Sequence, residues 1–274
     1  MKKVIINADD FGYSKENNEA IKLGYKRGII TSCSLLTNLN GFENAINIIL
    51  PEINDIDLGF HFNIVEGKSI TESRLLCDNQ NCFNNSYIQI IKKSKDEKFL
   101  KAIELEFRAQ IEKVLPHHKI SHIDSHMHTH AIPEIFNLIL KLAEEYKIKY
   151  IRTQNEVPYF IARKALCYTF SLNIVKNLLL KIYTNINIKQ LRETELKTNK
   201  NFIGILYTGM MDETAILRGL NKIKDENSIT EIIFHPTIDK SKKNNYREFQ
   251  ITKHKNLIYE IKKQGFVLAK YYEN

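Results

Sequence analysis

Short apolar runs recur along this chain, separated by stretches with helical patterning, and that alternation restricts the fold more than any other feature. Lys3 to Ala8, centred on Val4-Ile5-Ile6, suits a buried strand. Ser14 is placed to cap a helix running to about Arg27, with Gly28 at its C-terminal end. Thr31 to Thr37 reads as a second strand, Gly41 to Leu50 as a helix stopped by Pro51, and Ile56 to Ile64 as a third strand. Glu97 to Leu115 predicts a helix closed by Pro116. A strand beginning near Ser121 follows, then a helix from Pro133 to Tyr146 with proline in its first turn. Tyr150 to Arg152, Phe202 to Tyr207, Glu231 to Phe234 and Phe266 to Lys270 complete the strands, with helical stretches near 212–226 and 246–264. Strands alternating with helices imply parallel pairing and right-handed crossovers. The expected fold is therefore α/β: a TIM-like (β/α) barrel, irregular in one or two of its units, for which 274 residues suffice. No repeat or linker divides the chain, so residues 1–274 are expected to form a single domain. Residues 68–96, polar and rich in asparagine, read as a long loop or insertion.

The chemistry concentrates between Ser121 and His130, where the chain reads S-H-I-D-S-H-M-H-T-H. If the segment continues as a strand, period-two alternation turns His122, Asp124, His126, His128 and His130 to one face. Burying several imidazoles and a carboxylate together becomes favourable when they coordinate a cation and hydrogen-bond one another. The segment reads as a metal site. Catalytic groups in such a barrel gather at the C-terminal ends of strands. Those ends carry Asn7-Ala8-Asp9-Asp10-Phe11-Gly12, Gly59-Phe60-His61-Phe62-Asn63, Asp124 with His126 and His128, Arg152, and His235-Pro236.

N-A-D-D-F-G at 7–12, G-F-H-F-N-I-V-E-G at 59–67, H-I-D-S-H-M-H-T-H at 122–130 and F-H-P at 234–236 together resemble the YdjC family of metal-dependent carbohydrate deacetylases, the ChbG/HpnK group. The resemblance spans nearly the whole chain. It implies a barrel-like fold, a divalent ion held by Asp10, His61 and His126, and Asp9 as catalytic base. The activity it implies is removal of N-acetyl groups from amino sugars such as chitooligosaccharides. Thr237-Ile238-Asp239 follows His235-Pro236 where the family commonly has glycine, so substrate contacts near that loop depart from the family pattern.

The residues themselves agree with that chemistry. A carboxylate and two imidazoles leave positions open on a divalent ion for water and a substrate oxygen. A sharp turn after the first strand would let Asp10 ligate while Asp9 accepts a proton. His235 is the candidate acid for the departing amine, the alternative being a histidine that only orients a carboxylate. Asp124 is placed to orient a histidine ligand, and His128 to line the site. Arg152 would bind sugar hydroxyls, hold Asp9 ionised by its charge, or form a plain structural ion pair, and Asn63 and Glu66 would close a loop over the substrate. The donor set suits Zn²⁺ or Mg²⁺, with Mn²⁺, Co²⁺ and Ni²⁺ also compatible with an open site.

Composition narrows the partners. The formal charge is +8 with a pI near 9.1, but the lysines are dispersed and no nucleic-acid-binding signature accompanies them. A small carbohydrate, and no nucleic acid, is the expected partner. Cysteines 33, 77, 82 and 167 form no CxxC pair and read as reduced thiols. With only a short apolar run after Met-Lys-Lys, no signal peptide is read, and a cytoplasmic location is expected. The apolar stretch from Pro158 to Tyr183 is interrupted by Arg163, Lys164, Lys176 and Lys181, which excludes a transmembrane helix. A helix packed on the sheet is favoured there over one lying on a membrane surface, and the stretch would also suit a homodimer contact. Two other readings remain open: a different metal-dependent hydrolase such as a phosphoesterase, since His126-Met127-His128 is an H-x-H, and a non-catalytic sugar- or metal-binding protein.

Overall fold

The computed structural model describes residues 1–161 and 172–273. Eight strands are present among the described residues: β1 (Lys2–Phe11), β2 (Ser32–Leu35), β3 (Asp57–Phe62), β4 (His122–Ser125), β5 (Tyr150–Ile151), β6 (Asn201–Ile203), β7 (Ile229–Phe234) and β8 (Phe266–Leu268). All pair in parallel, in the order β5-β4-β3-β2-β1-β7-β6. β8 pairs with Lys2–Val4 of β1, on the edge that β2 takes over from Asn7 onwards. The two ends of this order, β5 and β6, are joined by irregular bonds. Tyr150 bridges Lys197, Asn199 exchanges side-chain and backbone bonds with Thr153, and Phe202 N–H donates to the Asn155 carbonyl at 3.0 Å. The result is the expected (β/α) barrel, irregular where β5 meets β6.

The helices are α1 (Lys15–Arg27), α2 (Phe42–Asn44), α3 (Tyr87–Lys93), α4 (Glu97–Glu112), α5 (Pro133–Glu145), α6 (Leu172–Leu191), α7 (Glu213–Asn221), α8 (Lys243–Thr252) and α9 (Asn256–Lys263). The principal core lies between them and the outer face of the sheet, where Val4, Ile6, Ala8, Leu58, Phe60, Ile123, Ile151 and Ile232 are buried. Phe60 and Phe62 pack their rings on Phe107 of α4 at centroid distances of 5.0 and 5.2 Å. The alternate residues face inward, and most of them are polar: Asn7 and Asp9, Ser34, His61, His122 and Asp124, Glu231. Ile5, Tyr150, Ala269 and Tyr271 form a small apolar plug on this side. Gly59 leaves room within the lumen, because a Cβ there would stand 2.3 Å from the His122 ring.

Several expectations are corrected. The helix expected over 41–50 is present as a helical run over 42–52, of which only the first three residues, α2, are α-helical. It widens into a π-turn at Ala45–Ile49 and tightens into a 3₁₀ turn at Leu50–Glu52, where Pro51 has no amide hydrogen to continue the α pattern. The polar stretch 68–96 contains α3, whose N-cap Ser86 and Gln89 form a reciprocal capping box. The alternation expected through His130 ends at Ser125. Met127 (φ 55°) and His128 (φ 58°) are left-handed, so His126, His128 and His130 diverge instead of sharing a face. Of the stretch 158–183, residues 162–171 lie outside the described residues; from Leu172 onward it is α6.

α4 shows how loops above the sheet are held. Asp96 caps it, and its buried face carries Glu106 and Gln110 among Phe99, Ile103, Phe107 and Ile111. The Glu106 carboxylate accepts from Ser69 Oγ (2.7 Å), Ile70 N–H (3.0 Å), Thr71 N–H (3.0 Å) and Thr71 Oγ1 (2.6 Å). Gln110 exchanges bonds with the Asn63 backbone. Burial pushes the Glu106 carboxyl up, but the bonds from Thr71, Gln110, Ile70 and Ser69 outweigh it and leave its pKa lowered. Glu106→Gln is therefore expected to cost about 1–3 kcal/mol at neutral pH in denaturant unfolding. A group with a depressed folded pKa contributes stability above its unfolded value and loses it as pH falls through the folded one. The gap between wild type and variant should accordingly narrow on acidification below the ordinary glutamate range. A gap that widens there would contradict this account.

Candidate active site

β1 delivers two adjacent aspartates to one place by breaking its own alternation. Asp9 points inward in register, and Asp10, which a regular strand would turn outward, takes a left-handed φ of 67°. Tyr13 N–H closes the turn onto the Asp10 carbonyl at 3.1 Å. Gly12 follows at φ 87°, and a Cβ there would stand 2.3 Å from the Leu36 carbonyl oxygen, so only glycine fits the motif's last position.

Asp10, His61 and His126 converge. Asp10 Oδ1 lies 3.0 Å from His126 Nδ1 and 3.5 Å from His61 Nε2. Each imidazole has a carboxylate at its other nitrogen: Asp124 Oδ1 stands 2.6 Å from His61 Nδ1, and Glu66 Oε2 stands 3.3 Å from His126 Nε2. Burial opposes charge on both rings. Asp124 and Asp10 nevertheless push His61 up to about 10, and Asp10 with Glu66 pushes His126 up to about 9. Burial raises the Asp10 carboxyl, yet His126 and His61 hold it well below the usual range. The cluster thus draws positive charge to itself.

Asp9 sits beside it, 2% exposed, and is clamped. Arg152 donates from Nη1 to its Oδ2 (2.8 Å) and from Nη2 to its Oδ1 (2.7 Å), and Asn7 Nδ2 donates to Oδ1 (2.7 Å). The same guanidinium reaches Asp124 Oδ2 at 2.5 Å and Glu231 Oε1 at 2.6 Å. Arg152 is wholly buried, its charge taken up by three carboxylates. His235 stands at the rim with Nε2 3.9 Å from Asp9 Oδ2. Glu248 of α8 holds it from behind, accepting the His235 N–H at 2.6 Å and facing Nδ1 at 3.6 Å. Burial works against a proton on His235, but Glu248, Asp10 and Asp9 outweigh it and raise its pKa.

Three acid and imidazole groupings among the described residues have the spacing of a metal site: Asp10–His61–His126, Asp9–His61–Asp124 and His122–Asp124–Glu231. In the last two the carboxylates already have a cation, the Arg152 guanidinium. Only the first lacks a fixed counter-charge. Its donor separations of 3.0 and 3.5 Å match the roughly 3.3 Å edge of a tetrahedron with bonds of about 2.0–2.1 Å. The residues present fit a divalent ion.

A family profile for YdjC-like proteins matches residues 3–263. The chain belongs to that family. It is 38% identical over 148 residues to a carbohydrate deacetylase of Brevibacillus brevis, covering 53% of this chain and 57% of that protein. It is 34% identical over 161 residues to a carbohydrate deacetylase of Clostridium beijerinckii, covering 57% and 63%. The matches thus span less than two thirds of these curated relatives. A solved structure from Enterococcus faecalis, of a protein provisionally assigned to cellobiose-phosphate cleavage, aligns over 99% of this chain and 98% of its own, with a TM-score of 0.76 and 24% identity. That likeness establishes the shared fold.

The remaining residues of this YdjC-like chain divide by environment. Asn63 is buried, and its side chain is spent on Val65, Glu66 and Asn38. It shapes the loop that brings Glu66 to His126 and to Tyr13 Oη, 2.7 Å away. His128 is buried edge-on against Phe202, burial holds it neutral, and its Nδ1 has no partner among the described residues. His130 bonds Ser125 and Gln154, and His122 stacks on Tyr271 at 3.9 Å. Sequence reasoning overlooked Glu231, Glu248 and Ser34, which donates to Asp124 at 2.6 Å. Glu231 was detectable as the one charge in the strand I-T-E-I-I-F; Glu248 carried no signal, lying on a polar helix. Arg152→Met would leave three buried carboxylates without their cation and is expected to cost about 3–5 kcal/mol in urea unfolding. A cost under about 1 kcal/mol would mean the cluster is not held by this guanidinium.

Proposed function

We propose that this chain is a metal-dependent hydrolase that removes N-acetyl groups from amino sugars or short N-acetylated oligosaccharides of the chitooligosaccharide kind. The observation that carries the reading is the cluster of Asp10, His61 and His126, uncompensated by arginine and adjoining a clamped second aspartate. The curated relatives named carbohydrate deacetylases supply the substrate class. Asp10, His61 and His126 would hold one divalent ion, Zn²⁺ or Mg²⁺. Such an ion polarises an amide carbonyl and lowers the pKa of a neighbouring water.

The chain's own groups divide the rest of the work. Asp9 is the base: Arg152 and Asn7 fix its plane, Oδ1 accepts from both of them, and Oδ2, which accepts from Arg152 alone, keeps an acceptor direction for a water proton. His235, its proton favoured by Glu248 and the two aspartates, is the acid that protonates the departing amine. Asp124 orients His61 through Nδ1. Glu66, exposed at the rim, would meet sugar hydroxyls, whereas His128 is buried against Phe202, and buried Arg152 and Asn63 act through Asp9 and the Glu66 loop.

Acetate release from a panel of N-acetylated sugars, including short chitooligosaccharides, tests the reading with chelator and with single ions restored. Wild type is expected to release acetate only with an ion present. Asp9→Asn should lose about 10²–10⁴-fold in kcat at unchanged metal content. Asp124→Asn should weaken metal affinity about 10–100-fold by calorimetry. Release that persists in chelator, or at full rate in Asp9→Asn, would refute the ion or the base respectively.

A further inference from the structure

The helix α6 is apolar on its outer as well as its inner side. The face it turns to the barrel carries Asn177, Leu180, Thr184, Asn187 and Leu191, all buried. Its polar members are spent on backbone: Asn187 Nδ2 donates to the Ala131 carbonyl (2.8 Å), Asn177 Nδ2 to the Glu156 carbonyl (3.5 Å), and Thr184 Oγ1 accepts from Gln154 N–H (3.2 Å). The opposite face presents Leu172, Val175, Leu178, Ile182 and Ile186, spaced as one helical stripe and from 41% to 85% exposed. Val157 and Phe160, also exposed, lie in the segment that leads toward it. A helix this apolar on its solvent side, and anchored by asparagine and threonine on its inner side, is built to be covered.

Charge selects the cover. From Leu172 to Leu191 there is no aspartate or glutamate, whereas Lys181 and Lys189 are present, in a chain of formal charge +8. Lys176, on the same helix, is half-buried with its charge felt by Asp9 and His128 and takes no part in this face. Two copies meeting through this stripe by a two-fold axis would bring lysines together with no carboxylate on the helix to receive them. An anionic bilayer satisfies both features, accepting the apolar stripe at its interface and the lysines at its headgroups. No described helix is long and apolar enough to cross a membrane, so the contact would be peripheral.

We propose that the outer face of α6 docks this protein on an anionic lipid surface. Because Asn187, on the inner face of α6, ties the helix to the end of the His126–Ala131 segment, docking would turn that side of the barrel toward the lipid.

The test is co-sedimentation of the full chain with vesicles of phosphatidylcholine alone and of phosphatidylcholine with phosphatidylglycerol in equal parts. It is run with light scattering on the vesicle-free protein. Wild type is expected to bind the anionic vesicles, and to be released by salt. The triple substitution Leu178→Ser, Ile182→Ser, Ile186→Ser should abolish binding without lowering the unfolding midpoint, since these side chains are exposed in the folded chain. Lys181→Glu with Lys189→Glu should weaken binding by about tenfold or more. Wild type that fails to bind anionic vesicles overturns the proposal. So does equal binding by the triple variant. A concentration-dependent dimer that the triple substitution dissolves, with no vesicle binding, would assign the stripe to a second copy instead.

Discussion

Arg152 reaches across the barrel. It leaves the sheet just after β5, at one end of the strand order, and bonds Glu231 on β7 and Asp9 on β1, several strands away. Those bonds form only if the sheet curls until its two ends approach, so this ion cluster and the barrel's curvature require each other. A buried guanidinium with three carboxylates is favourable only when its geometry is near ideal and its remaining atoms are satisfied. Separations of 2.5–2.8 Å, with Asn7 and Ser34 as further donors, meet the first condition, while Glu231 Oε2 stays buried without a hydrogen-bond partner among the described residues. Three carboxylates around one guanidinium crowd negative charge together. Burial, with Asp124 and Asp9, pushes Glu231 up to about 7, and Asp124 helps raise His61 against its own burial.

A common (β/α) barrel fills its lumen with layers of branched apolar side chains. Here the inward positions of β1, β2, β3, β4 and β7 are largely polar, while the apolar residues face outward to the helices. The arrangement gives cohesion on the outside and rigid positioning within. Asp9 is held by Arg152 and Asn7, His61 by Asp124, and Asp124 by Ser34 and Arg152, so the candidate catalytic groups stand in a lattice of mutual bonds before any substrate arrives. Loops above the sheet are tied by the same means: Glu106 gathers residues 69–71, and Glu248 gathers Gly209 and His235.

Much of this was legible in the sequence. Strand and helix order followed from apolar periodicity and caps such as Ser14, because burial and capping act within a few residues. The groups at strand ends followed from parallel topology, which collects them at one rim. The failures share a cause too. The alternation through His130 broke where Met127 and His128 turn left-handed, in response to packing around Phe202 and Gln154 that no local pattern encodes. The helix at 41–50 formed but with a π-turn in its middle, and Asn63, expected over the substrate, is consumed by its own loop.

By itself the sequence determined the alternation of elements, the family, and which residue types meet at the strand ends, since each of these rests on spacing along the chain. Only the tertiary structure decided which carboxylates are already neutralised and which are not. Asp9, Asp124 and Glu231 lie far apart in sequence and share one guanidinium, while Asp10, one residue from Asp9, escapes it through a single left-handed φ. Charge compensation depends on distances through space, and those exist only once the sheet has curled.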